Sequence, residues 1–157
     1  MARWRLTPAT RTDIEALAAL ENRCFAWPWG RLSFESEFAG RDGGGLVARA
    51  AAGDGDEALI AYLFYRLIAD EVHIYRIAVS PEWRRQGIGS QLVGECLHRA
   101  RRRGVTAALL EVRPSNTEAA AFYRRFGFQV IATRPGYYTD SREDALILKL
   151  DMKEEDP

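Results

Sequence analysis

The segment that most limits what this chain can become runs from Ile77 to Ser90, Ile-Ala-Val-Ser-Pro-Glu-Trp-Arg-Arg-Gln-Gly-Ile-Gly-Ser. An apolar strand end is followed by a proline-containing loop, and a helix opens at two glycines. The first amides of a helix have no intrahelical partner and carry the positive end of its dipole. Gly87 and Gly89 have no Cβ, so a bulky anion can come close to those amides, and Arg84 and Arg85 add positive charge beside them. A pyrophosphate fits that chemistry. The segment is not a P-loop, since no Gly-Lys-Ser/Thr follows, and not the dinucleotide fingerprint, since Leu92 stands where the third glycine would be. A bare Gly-x-Gly is also what an ordinary helix N-cap turn looks like, so the rest of the chain has to weigh in.

That chain is 157 residues long, which at ~150 residues per domain predicts a single domain, 1–157. With 47% hydrophobic and 28% charged residues it has globular composition, which excludes a disordered protein. Twenty-two basic against 22 acidic residues leave no global positive field, so no direct nucleic-acid partner is expected. Cys24 and Cys96 form no C-x-x-C, and with two His they make no zinc framework, so no metal is expected. The opening residues lack the apolar core of a signal peptide. The most apolar run, Leu59 to Ala69, is broken by Arg66 and too short to cross a bilayer. The expectation is a reduced, cytoplasmic protein without a membrane partner, a monomer or weak homodimer.

Arg3 to Pro8 reads as a first strand. Thr12-Asp13-Ile14-Glu15 reads as a capping box with Thr12 as N-cap, and Ile14, Leu17, Ala18 and Leu20 follow at helical spacing. A short helix is predicted over Leu32 to Ala39, with Phe34 and Phe38 on one face. Gly40 to Gly45 and Ala52 to Glu57 read as loops. Three strands follow, Leu46 to Ala51, Ala58 to Ile68 and Glu71 to Val79, the last two made antiparallel by an Ala69-Asp70 turn. A helix from about Gly89 to Arg103 carries a stripe of Leu92, Val93, Cys96, Leu97 and Ala100, with Gly104 as its stop. Val105 to Val112 reads as a buried strand, and Ser115-Asn116-Thr117-Glu118 as a second capping box opening a helix through Arg125 or Phe126. Phe128 to Thr133 and Ala145 to Asp151 close the sheet. The order β-α-α-β-β-β-α-β-α-β-β describes an α+β domain with a mixed sheet.

Arg84-x-x-Gly87-x-Gly89 after an Ile-Ala-Val strand end resembles the acetyl-CoA signature of the GNAT acetyltransferase superfamily, whose element order is the one above. Leu110 to Phe128 (L-E-V-R-P-S-N-T-E-A-A-A-F-Y-R-R-F-G-F), Arg134 to Leu148 and Phe25 to Gly30 (F-A-W-P-W-G) resemble bacterial RimI-type protein N-terminal acetyltransferases, which act on the N-terminal alanine of a ribosomal protein. Gly30 stands where that group usually carries Ser. The resemblance implies a GNAT fold, a mostly antiparallel sheet of six to seven strands flanked by about four helices and splayed between the fourth and fifth strands. It also implies acetyl-CoA as cosubstrate and a protein N-terminus as acceptor. The pantetheine arm would pair with the backbone of Ile77, Ala78 and Val79. The pyrophosphate would take Arg84, Arg85, Gln86, Gly87, Ile88, Gly89 and Ser90, and Asn116 would touch the cofactor unless it is simply a helix N-cap.

Acetyl transfer needs a neutral amine. Deprotonating an α-amine at neutral pH costs about 1.4 kcal/mol or less, against roughly 4–5 kcal/mol for a lysine, so one carboxylate acting through water suffices. The resemblance gives that role to Glu111, at the end of an apolar strand; an ion pair with Arg113 or another neighbour is the bland alternative. It gives the role of proton donor to the leaving thiolate to Tyr123; a core aromatic beside Phe122 and Phe126 is the alternative. His73 is a second candidate base, since imidazole titrates near neutral pH. The acceptor would meet Trp27, Trp29, Tyr137 and Tyr138, which could instead only pack under loops, and His73 and Tyr75 of the fourth strand, His73 being otherwise a strand histidine bonded to its neighbours. A lysine side chain or small amine as acceptor, and a non-catalytic acyl-CoA sensor, are the competing readings.

Overall fold

A computed structural model describes residues 3–40 and 43–152, so positions 41 and 42 of the Gly40–Gly45 loop lie outside the described residues. Among these, seven strands and four α-helices succeed one another as β1 (Trp4–Pro8), α1 (Ile14–Cys24), α2 (Arg31–Ala39), β2 (Gly43–Ala51), β3 (Glu57–Ile68), β4 (Glu71–Val79), α3 (Ile88–Arg102), β5 (Ala107–Val112), α4 (Thr117–Arg125), β6 (Gln129–Arg134) and β7 (Ala145–Asp151), the order expected. The strands neighbour one another as β1-β2-β3-β4-β5-β7-β6. β4 and β5 pair in parallel, while β1–β2, β2–β3, β5–β7 and β6–β7 pair antiparallel. No helix among the described residues is long and apolar enough to cross a membrane. The chain divides into two compact units, residues 1–66 with 75–99 and residues 67–74 with 100–157, and β4 contributes to both.

In the first unit β3 is flanked on both sides, and Ile60 through Phe64 are all buried. Tyr62 and Phe64 join Leu17 and Leu20 of α1, Phe34 of α2, Val47 of β2 and Ala78 of β4 in one cluster. Phe38 packs against it from α2, the shared face expected. The glycine run corrects one expectation, because Gly43 to Gly45 form strand rather than loop. Gly44 lies opposite Tyr65 and Gly45 opposite Phe64. A Cβ on Gly44 would sit 2.5 Å from the Tyr65 ring, and one on Gly45 2.7 Å from the Phe64 ring. Glycine here makes room for the neighbouring strand's aromatics.

In the second unit the β4–β5 register runs from Glu71–Ala107 to Ile74–Leu110. Among the described residues the pairing ends there, although β4 continues to Val79 and β5 to Val112. The expected splay between the fourth and fifth strands concerns the residues beyond this register. β7 pairs β5 along its whole length, and β6 closes the edge with a bulge between Val130 and Ala132.

Neither capping box forms as read. Ahead of α1 the Thr10 amide donates to Asp13 Oδ2 at 2.8 Å and the Asp13 amide to Thr10 O at 2.9 Å. Arg49 of β2 holds the same carboxylate at 2.8 and 2.9 Å, an anchor that fixes the turn at Asp13 instead of Glu15. At α4 the Ser115 hydroxyl donates to Glu143 at 3.0 Å, and Asn116 caps instead, its Oδ1 accepting from the Ala119 amide at 3.2 Å.

Candidate active site

The first unit carries the anion loop. β4 stays tied to β3 through the Ser80 amide, which donates to Ile60 O at 2.8 Å. A 3-10 turn then covers Pro81–Trp83, Pro81 fitting a position whose amide has no partner to lose. The Ser80 hydroxyl bonds the Glu82 carboxylate, and Arg23 of α1 bridges both. The Ser80 bond, the local backbone and Arg23 hold the Glu82 carboxyl down to about 2, so it is charged at any working pH. Trp83 is braced by Trp4 at 6.2 Å, and the Trp4 indole N–H donates to Gln91 on α3 at 2.8 Å.

Between these braces the backbone turns through two left-handed residues, Arg85 at φ +63° and Gly87 at φ +89°. Gly87 O accepts from the Gln91 amide at 3.0 Å, which makes Gly87 the N-cap of α3 and leaves the amides of Ile88, Gly89 and Ser90 at the helix's open end. The helix starts one residue before the expected Gly89, and buried Ile88 anchors that start. A Cβ built on Gly87 meets nothing within 4 Å. The turn thus leaves three helix-start amides beside an open glycine. Arg84 is partly engaged already, its Nε donating to Val79 O at 3.0 Å. Of the strand-end residues, Ala78 is buried while Ile77 and Val79 are half-buried.

Beside the acceptor candidate Trp29 lies an ion pair that sequence reading missed, between a fully buried Glu21 and a half-buried Arg76. Glu21 of α1 receives two bonds from Arg76 of β4, at 2.7 and 2.8 Å. Burial works against the Arg76 charge, but the bonds it donates to Glu21 outweigh that and raise its pKa further. Burial and the same carboxylate push the Tyr62 phenol far up. Trp29 packs its ring on Phe34 at 5.5 Å. Tyr75 lies under the Arg66 guanidinium at 4.9 Å.

The second unit carries the acid–base candidates. Glu111 is half-buried on β5 opposite Ile147. His73 is level with Leu109, so it shares a sheet face with Glu111 one same-face step away. Arg113 forms a bidentate pair with Asp140 at 2.6 and 2.9 Å and bonds Ser141 at 2.8 Å. Its guanidinium also covers the Tyr138 ring at 3.9 Å. The β6–β7 loop that bears Tyr137 and Tyr138 is thereby pinned to the end of β5. Burial pushes the Tyr138 phenol up to about 12, outweighing Arg113, and the Glu111 charge adds to the rise. Tyr137 is edge-on to Tyr138 at 5.0 Å. Tyr123 is buried on α4, against Phe122 at 5.1 Å and Phe128 at 5.5 Å. It is a core aromatic whatever else it does. Among the described residues no group of three or more His, Cys, Asp or Glu side chains is placed to hold a metal.

The model of the acetyltransferase (GNAT) family matches residues 14–128. The [ribosomal protein bS18]-alanine N-acetyltransferase of Escherichia coli (strain K12) is 36% identical over 141 residues, 88% of this chain and 91% of that protein. The enzyme of the same name from Salmonella typhimurium (strain LT2) is 33% identical over the same shares. The crystal structure of the Escherichia coli ribosomal-protein-S18-alanine N-acetyltransferase superposes with a TM-score of 0.84 at 31% identity, covering 98% of this chain and 96% of that one. Arabidopsis thaliana NAA60 in complex with acetyl-CoA shares the fold, with a TM-score of 0.85 at 18% identity over 95% of this chain and 98% of that one. On the family match and these full-length relatives, the chain belongs to the GNAT acetyltransferase family.

Proposed function

We propose that this enzyme transfers the acetyl group of acetyl-CoA to the α-amine of a protein N-terminus, an alanine on a ribosomal protein being the acceptor its relatives point to. The observation that carries this is the 36% identity along 91% of an enzyme named for that reaction. In this reading residues 1–157 work as one acetyltransferase domain in the cytoplasm. The amides of Gln86 to Ser90, with Arg84 and Arg85, hold the pyrophosphate, and the backbone of Ile77 to Val79 pairs with the pantetheine arm. Asn116 contributes a further cofactor contact. Acetyl-CoA supplies an acetyl thioester whose carbon bonds to the amine nitrogen as the carbon–sulfur bond breaks.

Glu111 accepts the amine's proton through a water molecule, a light task for an α-amine with a pKa of about 8. Tyr123 donates a proton to the departing thiolate, since a phenol stays protonated at neutral pH. His73, Trp29, Tyr75, Tyr137 and Tyr138 shape the acceptor's surroundings. The test is incubation with labelled acetyl-CoA and peptides that differ in their first residue. Label on the α-amine of alanine-initiated peptides is the expected result. Label on lysine side chains alone, or on no peptide, would sink the reading.

A further inference from the structure

Glu21 is a carboxylate within an apolar cluster, 0% exposed, and neither the acid–base chemistry nor the anion loop uses it. Arg76 meets it edge-on with two bonds, the Tyr62 hydroxyl bonds Oε1, and the backbone N–H of Trp29 bonds Oε2 at 2.8 Å. The flat face of the Arg76 guanidinium lies 3.8 Å from the Phe25 ring centroid and 5.2 Å from that of Trp29. The pair therefore grips both ends of the α1–α2 loop, Phe25 by its ring and Trp29 by ring and amide. Between the gripped ends Trp27 is 60% exposed.

A buried ion pair is a poor source of stability, because desolvation offsets its attraction and well-packed apolar groups of similar volume commonly do as well or better. What this pair supplies is a fixed geometry for the loop above it. The geometry also calls for arginine in particular. An ammonium has the charge but neither the flat face that stacks on Phe25 nor the fork that makes two parallel bonds.

We infer that the Glu21–Arg76 pair is the positioning device of the acceptor loop. It holds residues 25–30 in one shape, so the incoming N-terminus meets a preformed surface. The inference rests on the proposal that this loop belongs to the acceptor site. Both residues act through the loop, and their loss is read in acceptor KM, with turnover at saturation and acetyl-CoA affinity left nearly intact.

Two variants test this. Arg76→Lys keeps the charge and loses the fork and the stacking face. Glu21→Leu/Tyr62→Phe/Arg76→Met replaces the side-chain network with apolar groups and leaves only the Trp29 amide without its acceptor. Each is assayed for thermal stability, for acetyl-CoA affinity by calorimetry, for kcat and KM with an alanine-initiated peptide, and for amide hydrogen exchange at residues 25–30. The expected result is a rise in acceptor KM of about tenfold or more in both, with kcat within about threefold, acetyl-CoA affinity within about twofold, and faster exchange at the Trp29 amide. A triple variant as stable as the wild type but with that KM defect separates positioning from stability. Wild-type KM and exchange in the folded variants would overturn the inference, and so would failure of both variants to fold. If the wild type acetylates no N-terminal peptide, the acceptor reading has failed; faster exchange at residues 25–30 in Arg76→Lys would then still support the clamp, and unchanged exchange would refute it.

Discussion

Gly87→Ala separates the strain of a turn from the space a ligand needs. At φ +89° a Cβ is strained, and left-handed backbone costs a non-glycine residue about 1–2 kcal/mol, partly offset by the smaller freedom of alanine in the unfolded chain. A net loss of about 1 kcal/mol corresponds to a Tm decrease of roughly 2–4 °C for a chain of this length. The added methyl meets no protein atom within 4 Å, so strain is the whole internal cost. Gly104, at the opposite end of α3, is a matched control with φ +80° and equally open surroundings. Gly104→Ala should lose about the same stability and keep its acetyl-CoA affinity. Gly87→Ala should in addition bind acetyl-CoA at least tenfold more weakly, about 1.4 kcal/mol, because its methyl enters the approach to the helix amides. Thermal melts and isothermal calorimetry on both variants decide it. Equal affinities in Gly87→Ala and wild type, or an equal loss in Gly104→Ala, would refute the placement of the pyrophosphate.

Glu111→Gln should lower turnover on an alanine-initiated peptide by about 10²–10⁴-fold at neutral pH, with the deficit shrinking above the amine pKa of about 8; Tyr123→Phe should show a loss that alkaline pH does not rescue. A pH–rate profile of both variants checks this, and wild-type rates in Glu111→Gln alongside an inactive His73→Ala would move the base to His73. Asp13 offers a stability test. Burial pushes its carboxyl up, but Arg49 and the Thr10 amide outweigh that and hold it below its ordinary 3.8. Since its folded-state pKa is depressed, its contribution is present above about pH 4 and fades as pH falls below that. Asp13→Asn should therefore cost about 1.5–3 kcal/mol at pH 7 and progressively less toward pH 2, measured by urea denaturation; a deficit that does not change with pH would contradict the assignment.

Sequence was most informative where a local pattern coincides with a local structure. The alternating and apolar runs of β3, β4 and β5, the stripe on α3 and the Gly87 turn all depend on neighbours within a few residues, and each lies within a residue or two of its expected bounds. The failures are places where a distant partner decides. Thr12 and Glu15 make a plausible box, but Arg49, 36 residues beyond Asp13, pulls the cap to Asp13. Glycines at 43 to 45 read as a loop until the facing rings of Phe64 and Tyr65 are known. Glu21 and Arg76 stand 55 residues apart, and nothing local marks them as partners. Arg113 stands beside Glu111 in sequence, yet its bidentate carboxylate partner is Asp140, 27 residues on. The elements that carry the candidate residues were therefore legible, whereas the long-range contacts that hold those elements were not.

The cap on α4 restricts what Asn116 can offer a bound molecule. One lone pair of its carboxamide oxygen is taken by the Ala119 amide at 3.2 Å, which leaves the NH₂ group and the oxygen's second lone pair. The NH₂ can only donate, so a ligand atom that meets it must bring a lone pair, as an amide carbonyl or a phosphate oxygen does. The cap thus sets which edge of the carboxamide a neighbour meets, and with it the direction of the bond that neighbour must make.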